Sequence, residues 1–361
     1  MKVSHFWSGR KVLITGHTGF KGSWLALALS RQGAVLTGYA LRPQTDPSLY
    51  HLCRIGDIVA DRHGDVRSLD NLKKAVLQSD PEVVFHLAAQ PLVRRSYADP
   101  VSTFDTNLMG TVNLLESVRQ CPSIRAVVIA TTDKVYENQE WIWGYRENER
   151  LGGKDPYSAS KVCAELAVRA YAESYFPEDR YPIHGLAIAT ARAGNIIGGG
   201  DWSEDRLVPD CLQALQEGRE IVLRHPLATR PWQHVLAPVE GYMRLAEFLY
   251  KEGPAYGGAW NFGPGDRDVQ SVGYIADQLR RIWGSNAAVS APDQPTSGWP
   301  EARILKLDSS KAGVRLDWHP RWDLHTSLLK TVEWHKAYLQ GENMADLCLR
   351  QIAEYEEGQS E

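Results

Sequence analysis

Long hydrophobic runs are missing from this sequence of 361 residues. Its longest apolar segments span only a few residues, whereas a helix that crosses a bilayer needs about 20. The first residues, MKVSHFWSGRKVLITG, also lack the apolar stretch of a secretory signal peptide. We therefore predict a cytoplasmic protein without a membrane partner.

Cysteine is scarce and the net charge is small. The five cysteines lie far apart and form no CxxC pair, so we predict neither disulfide bonds nor a bound metal such as zinc. The net charge is −4 at pH 7, and such a chain lacks the excess of positive charge typical of nucleic-acid-binding proteins. No nucleic-acid partner is expected.

The first half of the sequence alternates short β-rich runs with helical patterns. The predicted strands are Lys11–Thr15, Val35–Tyr39, Ile58–Asp61, Val83–Ala88, Ala126–Thr131 and Ile183–Thr190. The predicted helices are Ser23–Arg31, Leu69–Ser79, Thr106–Gln120 and Pro156–Tyr175. This alternation predicts an α/β fold, a Rossmann-type doubly wound parallel sheet that binds its ligand at the carboxyl ends of the strands.

The alternation weakens after about residue 191, where proline and glycine become frequent. We therefore predict two domains. Residues 1–190 form a dinucleotide-binding Rossmann domain, which the chain rejoins over about 230–257. Residues 191–229 and 258–361 form a smaller, loop-rich C-terminal substrate domain.

A glycine-rich loop joins the first predicted strand to the first predicted helix. Its glycines, Gly16, Gly19 and Gly22, have the spacing GxxGxxG. The first allows a tight turn, the second lets backbone amides approach a diphosphate, and the third lets the helix pack on the sheet. The start of the helix then faces the negative charge. The predicted cofactor-binding residues of this loop are Gly16, His17, Thr18, Gly19, Phe20, Lys21 and Gly22.

Two points about this loop stay open. The carboxylate that usually binds the ribose 2′-hydroxyl is missing after the second strand, where Arg42 could instead meet a 2′-phosphate. The motif therefore allows either NAD or NADP. The side chain of His17 either hinders the approach of the diphosphate or points to solvent.

A tyrosine and a lysine begin the long predicted helix after Asp155 and Pro156, which suit its N-cap and first turn. Tyr157 and Lys161 are four residues apart and share one helix face. A tyrosine becomes a base at pH 7 only if its pKa falls by about 3 units, or about 4 kcal/mol. Lys161 and an oxidised nicotinamide, both cationic, would favour the phenolate. The pair, the glycine loop and Thr132 together predict catalysis.

These motifs together resemble the extended short-chain dehydrogenase/reductase family, over residues 11 to about 265. The matching segments are TGHTGFKG at 15–22, Asp65-Val66, LAAQ at 87–90, TTDKVY at 131–136 and YSASK at 157–161. Within that family the chain is most similar to the nucleoside-diphosphate-hexose 4,6-dehydratases, particularly those that act on CDP-glucose. The supporting segments are QPLVRRSY at 90–97, TTDK at 131–134 and GGGDW at 198–202.

The resemblance implies an NAD-dependent lyase that makes CDP-4-keto-6-deoxyglucose for deoxysugar and O-antigen lipopolysaccharide biosynthesis. Such enzymes oxidise C4, eliminate water across C5–C6 and return the hydride to C6. Tyr157 would take the C4 hydroxyl proton, with Thr132 bonded to the same oxygen. Asp133 would be the acid at C6 and Lys134 the base at C5, although most relatives have Asp-Glu there. Alternatively, Lys134 binds a phosphate or the cofactor.

The resemblance also implies further binding positions and an assembly. The cofactor would contact Arg42, Asp65, Val66, Leu87, Ala88, Ala89, Tyr157 and Lys161. The sugar nucleotide would contact Gln90, Asn195, Arg206 and Arg230. A homodimer would form through a four-helix bundle built from the helices at 106–120 and 156–175.

Two other functions remain open. One is a different sugar-nucleotide enzyme of this family, such as a dTDP- or GDP-hexose 4,6-dehydratase or a 4-epimerase. The other is a dinucleotide-sensing protein without turnover. Asp133 and Lys134 favour a dehydratase, because an epimerase needs no acid and base at C5–C6. The choice of CDP rests on the resemblance alone.

Overall fold

The computed structural model of the protein describes residues 5–291 and 302–358. Within these two ranges no helix has both the length and the apolar character needed to cross a bilayer. The described chain forms thirteen strands, numbered β1 to β13 in chain order: Lys11–Thr15, Val35–Ala40, Ala60–His63, Val83–His86, Ala126–Ala130, Ala187–Ala193, Ile196–Ile197, Ile221–Val222, Thr229–Pro231, Gln233–His234, Gly258–Phe262, Val269–Ser271 and Val289–Ser290.

The α-helices of the same described ranges are numbered α1 to α14 in chain order: Phe20–Arg31, Leu49–Leu52, Leu69–Ser79, Val93–Ala98, Pro100–Phe104, Gly110–Val118, Pro156–Tyr175, Tyr181–His184, Leu207–Gln216, Leu236–Glu252, Val272–Trp283, Ser310–Leu316, Leu324–Leu339 and Met344–Glu357. A π-helical segment, Asp105–Met109, connects α5 to α6.

Seven strands form the central sheet in the order β11-β6-β5-β4-β1-β2-β3. Every neighbouring pair in this sheet is parallel. The chain moves outward from β1 to β3, then crosses to β4 on the other side of β1. This reversal creates a crevice at the carboxyl ends of β1 and β4, where ligands of doubly wound folds bind. The predicted fold class is confirmed.

Helices cover both faces of the sheet, as its wholly buried strands β4 and β5 require. One apolar cluster joins one face of the sheet to α1, α10 and α14. A second joins the other face to α3, α6 and α7. A third lies outside the sheet among α9, α11 and α13 and forms the core of the smaller lobe.

Several predicted boundaries differ from the structure by a few residues, and three differences change the assigned element or domain. The strand predicted over 183–190 was wrong at both ends: Tyr181–His184 is a helical turn that stops at Gly185, with φ +63°, and β6 runs from Ala187 to Ala193. The helix predicted over 106–120 is interrupted by the π-helical segment. The predicted substrate domain began at 258, yet β11 pairs with β6 and completes the large sheet.

Candidate active site

The glycine loop connects β1 to α1 at the crevice, and two of its glycines are required by the protein's own packing. Gly16 has φ +78°, and a Cβ there would lie 2.6 Å from the backbone nitrogen of Ala88. A Cβ on Gly22 would lie 2.1 Å from the carbonyl oxygen of Gly16. Both contacts are with backbone, which cannot move aside locally.

Gly19 has a different role. A Cβ at this position would meet only the carbonyl oxygen of Gly16, at 3.5 Å. Gly19 is also the N-cap of α1, and no side chain caps the helix. Uncapped amides of a first helical turn bind anions. The open space and the free helix start therefore fit the diphosphate of a dinucleotide such as NAD.

Replacing Gly22 by alanine should lower the free energy of unfolding by about 1–3 kcal/mol, because the added methyl group overpacks fixed backbone. Denaturant unfolding measures this loss. Gly19→Ala is the matched control, since its methyl group has room: it should retain stability yet bind NAD more weakly in calorimetry. A Gly22→Ala protein as stable as wild type would contradict this account of the loop.

His17 follows neither of the two predictions made for it. Its side chain is 0% exposed and lies against β2, where a Cβ on Gly38 would be 2.5 Å from the ring. The Nε2 atom is 2.9 Å from Oδ1 of Asp61 on β3. Burial lowers the pKa of His17, although Asp61 opposes the shift. The ring thus neither points to solvent nor occupies the diphosphate space.

The other residues predicted to bind the cofactor follow β2, β3 and β4 at the same edge of the sheet. Arg42 is exposed. The carboxylate of Asp65 accepts hydrogen bonds from the Arg67 guanidinium, which lower its pKa. Val66 is buried, and Leu87, Ala88 and Ala89 are half-buried after β4.

The start of α7 presents the catalytic pair predicted from the sequence. Asp155 and Ser158 form a capping box that fixes the first turn. Tyr157 and Lys161 are buried on the inner face, and the Nζ atom of Lys161 donates to the carbonyl oxygen of Ala130 at 3.1 Å. Tyr157 also shares a hydrogen bond with Thr132. The end of β5 and the helix therefore meet at the site.

The net effect of the protein's own groups is to raise the pKa of Tyr157, whereas the predicted fall depends on Lys161 and an oxidised nicotinamide together. Burial raises this pKa to about 12, although the bond with Thr132 opposes the shift. Burial lowers the pKa of Lys161 to about 8, with the charge of Glu165 acting against it. Desolvation outweighs pairwise attraction because both groups are deeply enclosed.

The charges of Asp133 and Lys134 form an ion pair at the end of β5. Oδ1 of Asp133 accepts hydrogen bonds from Lys134 Nζ and Thr132 Oγ1, each at 3.0 Å. Asp133 is 0% exposed, whereas the Lys134 side chain is 33% exposed. Within the described residues Oδ2 of Asp133 is buried without a hydrogen-bond partner. This carboxylate oxygen remains available to a ligand.

Lys21 extends from the glycine loop beneath this catalytic cluster. Its Nζ atom donates to the hydroxyl of Tyr242 on α10, at 3.3 Å. Burial lowers the pKa of Lys21 to about 7, and the positive charges of Lys161 and Arg206 contribute. The residue was predicted to bind the cofactor, and the structure brings it near the acid–base groups as well.

The four predicted substrate-binding residues have different surroundings. The side-chain amide of Gln90 stabilises its own loop. Its Nε2 atom donates to the carbonyl oxygen of Leu92 and to the hydroxyl of Thr103, and its Oε1 atom accepts from the backbone nitrogen of Leu92. Asn195 has a buried Oδ1 atom without a partner among the described residues. Arg206 pairs with Asp201 at 3.0 Å, and Arg230 is buried and donates to the backbone of Thr229.

Several residues that hold the site together were not predicted from the sequence. Asn107, in the π-helical segment, bonds both backbone groups of Gln90 and the hydroxyl of Ser160. Segments of this kind are frequent at functional sites. Glu165 and Arg192 form a buried ion pair behind the site. The position of Glu165, four residues after Lys161, was the available signal.

The site therefore combines a dinucleotide loop, a Tyr-Lys helix and an ion pair at a strand end. The sequence pattern of a family described as NAD dependent epimerase/dehydratase matches residues 12–263. The chain belongs to this family. The match includes the glycine loop, the catalytic helix and the central sheet up to β11, so the resemblance seen in the sequence motifs is confirmed.

Several relatives of the family are similar over nearly the whole chain. A CDP-glucose 4,6-dehydratase of Salmonella typhimurium (strain LT2) is 49% identical and covers 97% of both chains. A dTDP-glucose 4,6-dehydratase of Shigella flexneri is 27% identical over 91% of this chain and 93% of the relative. The structure of dTDP-glucose 4,6-dehydratase from Bacillus anthracis str. Ames in complex with NAD has a TM-score of 0.76, with 21% identity, and covers 93% of this chain and 100% of that one.

Proposed function

We propose that this chain is an NAD-dependent hydro-lyase that converts CDP-glucose to CDP-4-keto-6-deoxyglucose. The observation that carries the proposal is the Asp133–Lys134 pair beside Thr132 and Tyr157. Dehydration at C5–C6 needs an acid and a base next to the group that oxidises C4. The 49% identity to a CDP-glucose 4,6-dehydratase supports both the reaction and the nucleotide.

Each side chain has a proton to hold or move. Tyr157, as phenolate, takes the C4 hydroxyl proton, and Thr132 bonds the same oxygen. The C4 ketone acidifies C5–H, and neutral Lys134 removes that proton. Asp133 protonates the C6 hydroxyl, which leaves as water. The glycine loop and the start of α1 would hold NAD, which would supply the acceptor for the C4 hydride and its return to C6. The Lys134 ammonium would give the proton back to C5.

One proton transfer can prepare both groups of the elimination step. Lys134 Nζ and Asp133 Oδ1 are 3.0 Å apart, within hydrogen-bond distance. Moving one proton from the ammonium to the carboxylate leaves a neutral amine and a carboxylic acid, which are the base and the acid required.

The proposal is tested by incubating the purified chain and NAD with CDP-, dTDP-, GDP- and UDP-glucose. We expect a 4-keto product, detected by its absorbance in alkali, mainly from CDP-glucose. Product mainly from another nucleotide would replace CDP in the proposal. Formation of a galactose nucleotide without loss of water would instead indicate a 4-epimerase.

NAD should bind more tightly than NADP. The structure of dTDP-glucose 4,6-dehydratase from Bacillus anthracis str. Ames holds NAD. In this chain Asp61 is already engaged by His17 and Tyr50, so it is not free to bind the ribose. We therefore also expect modest NAD affinity, so that the purified protein is only partly loaded. Calorimetric titration with both cofactors measures this, with Arg42→Ala as a variant that should lose affinity only for NADP. Tighter binding of NADP would reverse the assignment.

The protein should be a homodimer built through a four-helix bundle. Large apolar side chains are exposed on the two candidate helices: Met109 next to α6, and Leu166 and Tyr175 on α7. Burial of such groups stabilises a helical interface. Sedimentation at micromolar concentration should give twice the chain mass, and Leu166→Glu should weaken the dimer. A concentration-independent monomer would exclude it.

We also propose the division of the chain and its setting. The cofactor-binding unit comprises the residues up to β6 together with α10 and β11, and the rest forms the substrate unit. The protein would act in the cytoplasm and supply a deoxysugar precursor for O-antigen lipopolysaccharide. Cell fractionation would test the cytoplasmic location, and sugar analysis of lipopolysaccharide from a deletion strain would test the role in O-antigen synthesis.

A further inference from the structure

A buried ion pair lies directly behind the catalytic cluster. Glu165 is one helical turn after Lys161 on α7, and Arg192 is on β6. Their side chains are 4% and 3% exposed. The Arg192 guanidinium donates to both carboxylate oxygens of Glu165, from Nε and Nη2, each at 2.9 Å. A paired geometry of this type is strong and directional.

The Glu165 carboxylate also anchors the beginning of the TTDKVY segment, residues 131–136. Its Oε1 atom accepts a hydrogen bond from the hydroxyl of Thr131 at 2.6 Å. Its Oε2 atom accepts one from Thr190 at 2.7 Å. Thr131 immediately precedes Thr132 and Asp133, so the carboxylate on the catalytic helix fixes the strand end that carries them.

Arg192 anchors the other end of the segment. Its Nη1 atom donates to the hydroxyl of Tyr136 at 2.8 Å and to the carbonyl oxygen of Glu147 at 3.0 Å. The Tyr136 hydroxyl in turn donates to Asn261 at 2.7 Å. The two ends of TTDKVY are therefore tied through one ion pair to the helix that presents Tyr157 and Lys161.

We propose that Glu165 and Arg192 are positioning residues for the acid–base chemistry. Their ion pair holds TTDKVY against the catalytic face of α7, and the Glu165 carboxylate places a negative charge one helical turn from Lys161. The inference rests on the proposed function, since the positioned groups are those that it assigns to oxidation and elimination.

The groups around Lys161 determine whether its ammonium keeps its proton. Burial lowers the pKa of this lysine to about 8, and the charge of Glu165 raises it. Lys21, from α1, adds a like charge. His86, from β4, is neutral because burial lowers its pKa to about 3. Glu165 is thus the nearby negative charge that sustains the ammonium form.

The test uses Glu165→Gln, which keeps the shape of the side chain and removes its charge. With CDP-glucose, kcat should fall by up to about 10²-fold, as for a small misplacement of reacting groups, while KM stays near wild type. Loss of the negative charge lowers the pKa of Lys161, so the alkaline limb of the kcat–pH profile should move to lower pH by about one unit. Glu165→Asp keeps the negative charge, so the alkaline limb of its kcat–pH profile should return to the wild-type pH.

Two further variants separate positioning from folding. Glu173→Gln, on the exposed face of the same helix, should behave as wild type. Tyr136→Phe removes the hydroxyl that Arg192 binds but keeps the Glu165 charge. Its kcat should therefore fall while the alkaline limb of the kcat–pH profile stays at the wild-type pH. If Glu165→Gln does not fold, Tyr136→Phe tests the positioning role by itself. Folded Glu165→Gln or Tyr136→Phe protein with wild-type kcat would overturn the positioning.

Different measurements test the proposed function and the role of Glu165. Wild-type protein that forms no 4-keto product overturns the function. The ammonium charge can still be measured without turnover, by titrating the ¹³Cε signal of Lys161, assigned with Lys161→Met. A lower Lys161 pKa in Glu165→Gln supports the electrostatic role, and an unchanged pKa overturns it.

Discussion

Replacement of Tyr157 by phenylalanine should lower the turnover of CDP-glucose by about 10²–10⁴-fold, the usual contribution of one essential acid–base group. The substitution removes the hydroxyl that hydrogen-bonds Thr132 and would take the C4 proton. Phenylalanine fills the same buried space, so folding and binding of the sugar nucleotide should persist. Steady-state kinetics and calorimetric titration with CDP-glucose measure the two effects separately.

A matched control lies on the same helix. Tyr171→Phe removes another hydroxyl, which donates to Glu116 at 2.7 Å on the outer side of α7. Its turnover should remain near wild type. If folded Tyr157→Phe protein kept most of its activity, Tyr157 would not be the base that starts the reaction.

The pH dependence of the wild-type protein follows from the same group. Burial raises the pKa of Tyr157 to about 12. Because the proposed active form is the phenolate, the rate of oxidation should rise with pH along an acid limb until Lys161 loses its proton. Positive charge at the site lowers the tyrosine pKa and shifts this limb to lower pH. Lys161 contributes only while protonated, and its pKa is about 8.

Lys134→Met and Asp133→Asn should still oxidise C4 but eliminate water slowly. The expected loss in the elimination step is about 10²–10⁴-fold, because each variant lacks one of its two proton-transfer groups. Single-turnover mixtures should therefore accumulate the 4-keto hexose that retains its C6 hydroxyl, with the near-ultraviolet absorbance of the reduced cofactor. Wild type should show neither build-up.

The two variants act as controls for each other. Exchange of the C5 hydrogen with deuterated solvent depends on the base and should fall most in Lys134→Met. Asp133→Asn keeps the lysine side chain but removes the carboxylate that takes its proton, so its exchange should fall less than in Lys134→Met. If Lys134→Met exchanged C5 normally but bound NAD poorly, Lys134 would be a binding residue, and the elimination base would be a different group.

The ion pair also explains why opposite charges follow a core strand. Asp133 is 0% exposed, and an unpaired buried carboxylate would be costly. Lys134 and Thr132 compensate one of its oxygens. The other oxygen is left without a bond among the described residues. The pairing thus stabilises the buried charge and leaves one oxygen directed to a ligand.

Local sequence was sufficient for the elements that are defined by their own residues. The first strand, Lys11–Thr15, and the catalytic helix, Pro156–Tyr175, were predicted with the bounds that the structure has. An apolar run between polar residues, or Asp-Pro before a long amphipathic stretch, contains its own boundary signals. Because four residues make about one helical turn, the shared face of Tyr157 and Lys161 also followed from spacing alone.

Residues whose role depends on distant partners were not predictable in this way. His17 is enclosed because Gly38 and Asp61 lie opposite each other on neighbouring strands, and this register exists only in the folded sheet. The Gln90 amide is used by its own loop. Likewise, β11 joins the sheet beside β6 although 64 residues separate the end of β6 from the start of β11.

The sequence by itself thus determined the fold class and the family, and it supplied the proposed cofactor loop and reacting side chains, because these depend on short motifs. Only the tertiary structure decided how those side chains are held and charged. Burial sets the pKa directions of Tyr157 and Lys161, and burial is a property of the whole packed chain. The anchoring of the acid–base segment by Glu165 and Arg192 likewise exists only because β6 lies beside β5 and beneath α7.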